Sequence, residues 1–378
     1  MRVIFNTKTL LVKKTGIGYY IYNLYRELLR SKEVEVYPTV NIDKPIGSVL
    51  RFMVSAVSVS RKVLGDSALK FVTSVGDFLI SKISGRKNKA LDAEIYHEAA
   101  YDIIPDGKWK SVANIYDLSF LKHPECLPER ILHKCRLNLN NILRADRLIV
   151  NTEAIKNEVM VLLKIPGERI DVIPLAPSGA YHPVNRGSME GKNIVNRYTD
   201  REYILYVGTI EPRKNIPVLF KAFSLIRKKR PVKLILAGGK GWLYKDILKM
   251  PHELGIEDDV VFTGYVDEQT ILYLYNYASV SVYPSIYEGF GLPVIEAMSC
   301  GTPVIISDIP SLREVAGDAA MLFNPEDHKE LADTIEKVLS SEPLRLQLGQ
   351  KGLYRAAEFS WKKVAASTIQ TYKKALEG

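Results

Sequence analysis

The sequence predicts two α/β units, each built on a parallel sheet. Three observations lead there. The chain has 378 residues, more than one ordinary hydrophobic core accommodates. Short strand-like apolar runs alternate with helical runs, the pattern of β–α–β crossovers. Glycines also recur at expected strand ends in the second half, at Gly208, Gly238 and Gly264, on the edge where open parallel sheets take ligands.

The first strand is expected at residues 2–6, followed by a polar loop rising to Thr15-Gly16-Ile17-Gly18. A helix follows, with Ile21, Leu24, Tyr25, Leu28 and Leu29 on one face. Further strands are expected at residues 94–97, 111–115 and 147–150. Pro174, Pro177 and Pro183 punctuate a connection between the units near residues 174–200. Beyond it, strands are expected at 203–207, 233–237, 260–263, 279–283 and 303–307, with helices starting near Asn215, Trp242, Asp267 and Leu292. Residues 269–287 lack Asp, Glu, Lys and Arg but hold five tyrosines and Pro284. They read as a helix end, a turn and a strand, and no transmembrane segment is expected.

Residues 45–89 break the rhythm. They carry eight Lys or Arg against Asp66 and Asp77, interleaved with Leu50, Phe52, Met53, Leu64, Phe71, Phe78 and Ile83. One or two basic amphipathic helices fit, either as domain helices over a sheet or as an interfacial patch at an anionic membrane. The formal net charge is +9, which suits an anionic ligand or an anionic membrane surface. No nucleic-acid module is visible. Cys126, Cys135 and Cys300 form no CxxC pair and no disulfide framework, and the N-terminal apolar run is too short for a signal peptide. A cytoplasmic enzyme, peripheral on the inner face of the cytoplasmic membrane if the basic segment docks there, is the expectation.

Two motifs carry chemistry. In Tyr206-Val207-Gly208-Thr209-Ile210-Glu211-Pro212-Arg213-Lys214-Asn215, a strand end places two cations before a helix. Arg offers a fork and Lys a point charge, which together neutralise a diphosphate. In Pro284-Ser285-Ile286-Tyr287-Glu288-Gly289-Phe290-Gly291-Leu292-Pro293-Val294-Ile295-Glu296, two glycines permit close backbone approach and a helix N-terminus presents N–H groups to an anion. Glu288 and Glu296 flank that turn, and carboxylates accept paired hydrogen bonds from vicinal hydroxyls. Gly238 and Gly264 add backbone groups that could contact a base.

In these two motifs the chain resembles a retaining glycosyltransferase of family 4 with the GT-B fold, two Rossmann-like domains facing across a cleft. The seven residues between Glu288 and Glu296 match that family's E-x7-E motif. The resemblance implies that Glu296 holds the donor ribose and Glu288 the transferred sugar. The amides near Phe290 and Gly291, next to Gly289, would serve the sugar and phosphate. Arg213 and Lys214 would bind the diphosphate, with Gly16 and Gly18 approaching it from the other domain. It implies an N-terminal acceptor-side domain over 1–180, a nucleotide-sugar domain over 181–360 and a last helix, 361–378, returning to the first. Relatives that build surface polysaccharides, as mannosyl-, rhamnosyl- or glucosyltransferases, show His-Asp where this chain has Tyr116-Asp117. Both residues are candidate catalytic groups with Glu288, although a phenol is no near-neutral base.

The six histidines show no metal-ligand spacing, and His97 is a candidate cleft residue or a structural one. No DxD element is seen. The expectation is therefore metal-independent transfer from a nucleoside-diphosphate sugar, as co-substrate, to a glycan or lipid-linked glycan. Two rivals stand beside it. A dinucleotide oxidoreductase lacks a GxGxxG after the first strand. A non-catalytic sugar-nucleotide or membrane-binding protein of the same fold draws weight from Tyr116.

Overall fold

The computed structural model describes residues 1–11, 16–39, 92–102 and 104–378. The expected basic helices of 45–89, and Thr15 of the glycine loop, lie outside the described residues.

Two six-stranded parallel sheets organise the chain. The first contains β1 (Arg2–Phe5), β2 (Glu35–Pro38), β3 (Ile95–Glu98), β4 (Lys110–Asn114), β5 (Arg147–Val150) and β6 (Ile170–Val172), in spatial order β2-β1-β3-β4-β5-β6. The second contains β7 (Tyr203–Val207), β8 (Lys233–Ala237), β9 (Val260–Gly264), β10 (Val280–Tyr283), β11 (Val304–Ser307) and β12 (Ala320–Phe323), in order β12-β11-β10-β7-β8-β9. Strands covered on both faces need unbroken apolar runs. Ile204, Leu205 and Tyr206 in β7, and Leu234, Ile235 and Leu236 in β8, are all buried.

The helices are α1 (Gly16–Arg30), α2 (Ser119–Lys122), α3 (Glu129–Ile142), α4 (Glu153–Leu163), α5 (Met189–Val195), α6 (Ile216–Arg227), α7 (Met250–Glu253), α8 (Glu268–Tyr277), α9 (Leu292–Ser299), α10 (Pro310–Ala316), α11 (His328–Leu339), α12 (Glu342–Ala357) and α13 (Trp361–Glu377). The last one packs on α1, β4 and β5 of the first unit. Ser360 caps it by accepting the Lys363 N–H. Trp361 Nε1 donates to Pro177 O (3.0 Å), pinning the start of the crossing to the connection between units.

Strand order reverses between β1 and β3 in one sheet and between β10 and β7 in the other. Ligands of open α/β sheets bind outside the carboxyl ends at such a switch point. In the second sheet those ends lead into the two motifs, Gly208 to Lys214 after β7 and Pro284 to Gly291 after β10.

Several expectations are corrected. No helix begins at Trp242: residues 239–246 form a loop in which Leu243 takes a left-handed φ of 49°, and helical structure resumes only at Ile247. Leu29 is solvent-exposed while Ile21, Leu24, Tyr25 and Leu28 are buried, so the α1 stripe ends one residue earlier. Strands β2, β6 and β12 were not expected. Each is three or four residues long and lies at or beside a sheet edge, and β2 carries Pro38, which only an edge tolerates. His97 does not face the cleft. It is fully buried, with Nδ1 2.7 Å from Tyr372 Oη of α13 and Nε2 2.7 Å from Asn114 Oδ1. Burial lowers its pKa to about 4, against the Asn114 contact, so it is a neutral clasp for the returning helix.

Candidate active site

Glycine geometry sets the floor of the site. Gly208 and Gly238 both have φ of 156°, and a Cβ on Gly238 would lie 2.0 Å from the Gly208 carbonyl oxygen. The Gly208 N–H bonds to Ala237 O (2.9 Å) and that of Gly238 to Gly264 O (3.0 Å), so the three strand-end glycines form one backbone edge. Gly264, at φ 67°, has open space beside it.

From this edge the chain turns through Pro212–Lys214, and Asn215 takes a left-handed φ of 52° before α6. The turn sends both cations inward. Lys214 Nζ lies 2.5 Å from Glu288 Oε1 and donates to Tyr283 Oη at 2.7 Å. Arg213 Nη1 lies 2.9 Å from Glu288 Oε2 and 2.8 Å from Tyr287 O, while Nη2 pairs with Glu211 Oε1 at 3.0 Å. Glu288 is buried. Burial opposes its ionisation, but Arg213 and Lys214 outweigh it and lower the carboxyl to about 2. A buried Lys214 and a partly buried Arg213 this close suit an anionic ligand that can share them.

Glu296 stands in the second turn of α9. It accepts from Tyr275 Oη at 3.3 Å. Burial raises its carboxyl to about 7, assisted by Glu268 and opposed by the Tyr275 bond. Tyr181 packs edge-on against Tyr275, centroids 5.8 Å apart, and the Tyr19 phenol from α1 is raised by burial, Tyr265, Glu268 and Glu296. Tyr19 of the first unit therefore lies close enough to feel the Glu296 charge.

Between the glutamates the backbone has little freedom. Gly291 has φ of 95°, and a Cβ there would lie 2.6 Å from Leu312 Cδ2. Phe290 is buried edge-on against Phe359, 5.8 Å between centroids. The first N–H groups of α9 have no intrahelical partners and the helix dipole favours an anion there.

The first unit meets this turn directly. A Cβ on Gly289 would lie 1.8 Å from Tyr116 O and 3.1 Å from Asp117 Cβ. Asp117 is half-buried, and its Oδ1 accepts the Ser119 N–H at 2.9 Å. Its charge reaches Arg213. Tyr116 is different: its hydroxyl donates to Ala99 O at 2.6 Å and its ring packs on Tyr20, 5.5 Å between centroids. Burial pushes this phenol well above its ordinary range. A neutral hydroxyl committed to a backbone carbonyl is a brace, not a proton-transfer group. Gly16, exposed with open space around it, opens α1, and Gly18 is buried.

The structure thus joins Asp117, Arg213, Lys214, Glu288, Gly289, Phe290 and Gly291 in one place, with Glu296 along the same helix. Sequence reasoning missed Glu211, Tyr275, Tyr283 and Tyr287. Three of these are tyrosines in the charge-free stretch 269–287, where their density was the available signal. Among the described residues no group of three His, Cys, Asp or Glu could hold a metal ion. No helix among them is long and apolar enough to cross a membrane.

Two Rossmann-like units with paired cations at the second switch point define a transferase of GT-B architecture. The family described as Glycosyl transferases group 1 matches residues 189–354. The chain is 31% identical over 383 residues, covering 99% of itself and 100% of the relative, to O-antigen chain mannosyltransferase B of Escherichia coli. It belongs to the group 1 glycosyltransferases, enzymes that use nucleotide sugars. Among solved structures, sucrose-phosphate synthase from Thermosynechococcus elongatus shares the fold with a TM-score of 0.70 at 20% identity, over 99% of this chain and 98% of that one. WaaG, a glycosyltransferase involved in lipopolysaccharide biosynthesis, shares it with a TM-score of 0.67 at 14% identity, over 98% and 99%.

Proposed function

We propose that this glycosyltransferase moves a hexose, with retention of configuration, from a nucleoside-diphosphate sugar to a glycan or lipid-linked glycan of surface-polysaccharide synthesis. The observation that carries the reading is the Arg213–Glu288–Lys214 cluster at the switch point, beside the N-terminus of α9. The diphosphate takes the two cations and the α9 amides. Glu296 accepts from the ribose and Glu288 from the sugar. The Gly208, Gly238 and Gly264 edge lies against the base. Asp117 faces the acceptor hydroxyl.

Glu288 is engaged by both cations, so it serves as a binding group and not as a nucleophile. The leaving diphosphate, held by Arg213 and Lys214, then assists removal of the acceptor proton on the face it departs from. The same cations make a bridging metal unnecessary. The full-length likeness to a mannosyltransferase makes mannose the first sugar to test. A peripheral membrane position draws support from α3, where Arg130, Lys134 and Leu137 are exposed at helical spacing.

The test is a thermal-shift screen of nucleoside diphosphates and their sugars, followed by mass spectrometry of acceptor glycans. A stabilising nucleotide and a product heavier by one hexose are expected. No stabilisation by any nucleotide and no donor consumption would remove the reading.

A further inference from the structure

Helix α4 of the first unit carries three separate contacts to the second. At its N-cap, Thr152 Oγ1 donates to Gly289 O at 3.1 Å while accepting the Ile155 N–H at 3.2 Å. In its first turn, the N–H groups of Glu153 and Ala154, which no helical carbonyl can satisfy, donate to the Glu314 carboxylate of α10 at 2.7 and 3.1 Å. One turn on, Glu158 Oε2 accepts the Tyr287 hydroxyl at 2.6 Å.

Tyr287 is the most connected of these residues. Its hydroxyl also accepts the Leu118 N–H at 3.0 Å, directly after Asp117. Its ring is buried in the core of the first unit with Ile115, Leu118 and Phe120. Lys122 lies 5.6 Å from the ring centroid and pairs with Glu158 at 2.7 Å. Yet Tyr287 belongs to the second unit, immediately before Glu288, and its own carbonyl accepts from Arg213. One residue is therefore tied through its backbone to the cation beside Glu288 and through its side chain to the residue beside Asp117.

We propose that Tyr287 is a positioning residue that locks the Glu288 loop onto α4, so that Glu288 and Asp117 keep one register across the cleft. This rests on the roles given to Glu288 and Asp117 under Proposed function. A buried tyrosine that merely packs would contribute stability alone. A hydroxyl that holds the sugar-binding Glu288 and the acceptor-facing Asp117 in register contributes to turnover without contributing to nucleotide affinity, because Arg213, Lys214 and Glu296 remain in place when it is lost.

Tyr287→Phe keeps the ring and removes both hydrogen bonds. With the wild-type enzyme turning over a nucleoside-diphosphate sugar, kcat is expected to fall about tenfold or more. The affinity for the bare nucleoside diphosphate, by calorimetry, should stay within about twofold. Glu158→Ala tests the same contact from the partially exposed α4 side, should Tyr287→Phe fold poorly, and is expected to lower kcat in the same way. Glu158→Gln keeps an acceptor for the hydroxyl and should recover most of the loss. The double variant Tyr287→Phe with Glu158→Ala should be no worse than Tyr287→Phe alone. Wild-type kcat in both single variants, or a loss of nucleotide affinity matching the loss of kcat, overturns the proposal. If the wild-type chain itself binds no nucleotide and transfers no sugar, the functional reading fails instead.

Discussion

The Lys214 ammonium and the Glu288 carboxylate form a buried ion pair, Nζ to Oε1 2.5 Å, at the carboxyl end of the second sheet. Glu288 thus neutralises the site's own cations, with Glu211 completing the balance on Arg213. On the proposed reading, a diphosphate would share Arg213 and Lys214 with the Glu288 and Glu211 carboxylates.

Truncating one partner of a buried pair leaves the other uncompensated, at a cost of ~3–5 kcal/mol. Lys214→Ala is expected to destabilise at the low end of that range, since Arg213 remains, and to weaken nucleoside-diphosphate binding by at least ~tenfold. Urea unfolding and calorimetry measure the two effects. The depressed Glu288 carboxyl supplies stability that is present above its unfolded pKa and lost as pH falls toward about 2. The wild-type urea midpoint should therefore drop below about pH 4.5. Unchanged nucleotide affinity in both Lys214→Ala and Arg213→Ala would reject the phosphate site.

The two glutamates should separate by ligand. Glu288→Gln removes the competitor for both cations, so bare nucleotide should bind as well as before or better while sugar transfer collapses. Glu296→Gln should weaken bare nucleotide and nucleotide sugar alike. The ribose contact proposed for Glu296 needs an ionised carboxylate, and burial raises that carboxyl to about 7. Nucleotide affinity of the wild type should rise from about pH 6 to pH 8, and the rise should be smaller in Glu296→Gln, where only the ligand's own phosphate ionisation remains. Equal effects of both substitutions on bare nucleotide would contradict the assignment.

Gly289→Ala places a methyl 1.8 Å from the Tyr116 carbonyl oxygen, where only backbone movement can make room. The units must part at the point where Asp117 approaches the donor turn. Loss of transfer by two orders of magnitude or so is expected, since a misplacement near 1 Å costs about that much. Gly255→Ala is the control, at a position with open space outside the proposed site, where the φ of 63° alone costs ~1 kcal/mol. Similar activity in the two variants would show that the contact does not matter.

Chelation should leave the enzyme active. If Arg213 and Lys214 neutralise the diphosphate as proposed, EDTA treatment should preserve transfer. Complete loss, restored by magnesium or manganese, would require a metal in the site.

Membrane attraction is measurable with the full chain. Anionic vesicles should sediment it at low salt, at ~1 kcal/mol per nearby cation, and release it at high salt as screening shortens the reach to about 8 Å at physiological ionic strength. A chain that stays in the supernatant with neutral and anionic vesicles, at low and high salt, would remove the membrane reading and favour a soluble acceptor.

Much of the second unit was legible because its signals are local. Strands β7 and β8 need continuous apolar runs, and Tyr203–Val207 and Lys233–Ala237 show them. The helix at Leu292 was legible from Gly291 and Pro293, which mark an N-terminus by backbone chemistry alone. Trp242 shows where this fails. Trp, Leu and Tyr in succession suit a helix, and the left-handed turn at Leu243 that prevents one is imposed by the surrounding loop, whose Gly241 N–H bonds back to Ile210 O. The edge strands β2 and β6 escaped because Glu35–Pro38 and Ile170–Val172 lack the buried apolar run of equally short strands such as β5 and β11.

The sequence by itself determined the two-unit α/β class, the cationic turn at Arg213 and Lys214 and the seven-residue spacing of Glu288 and Glu296, since each follows from residue type and order along one stretch of chain. Only the tertiary structure decided partners. It turned the Tyr116 hydroxyl to the Ala99 carbonyl, buried His97 beneath Tyr372, and paired Glu288 with the two cations. It also carried Tyr287 into the other unit to meet Leu118 and Glu158. These contacts join residues far apart in the chain. Hydrogen-bond and ion-pair energies depend on distance and burial, and folding alone fixes both.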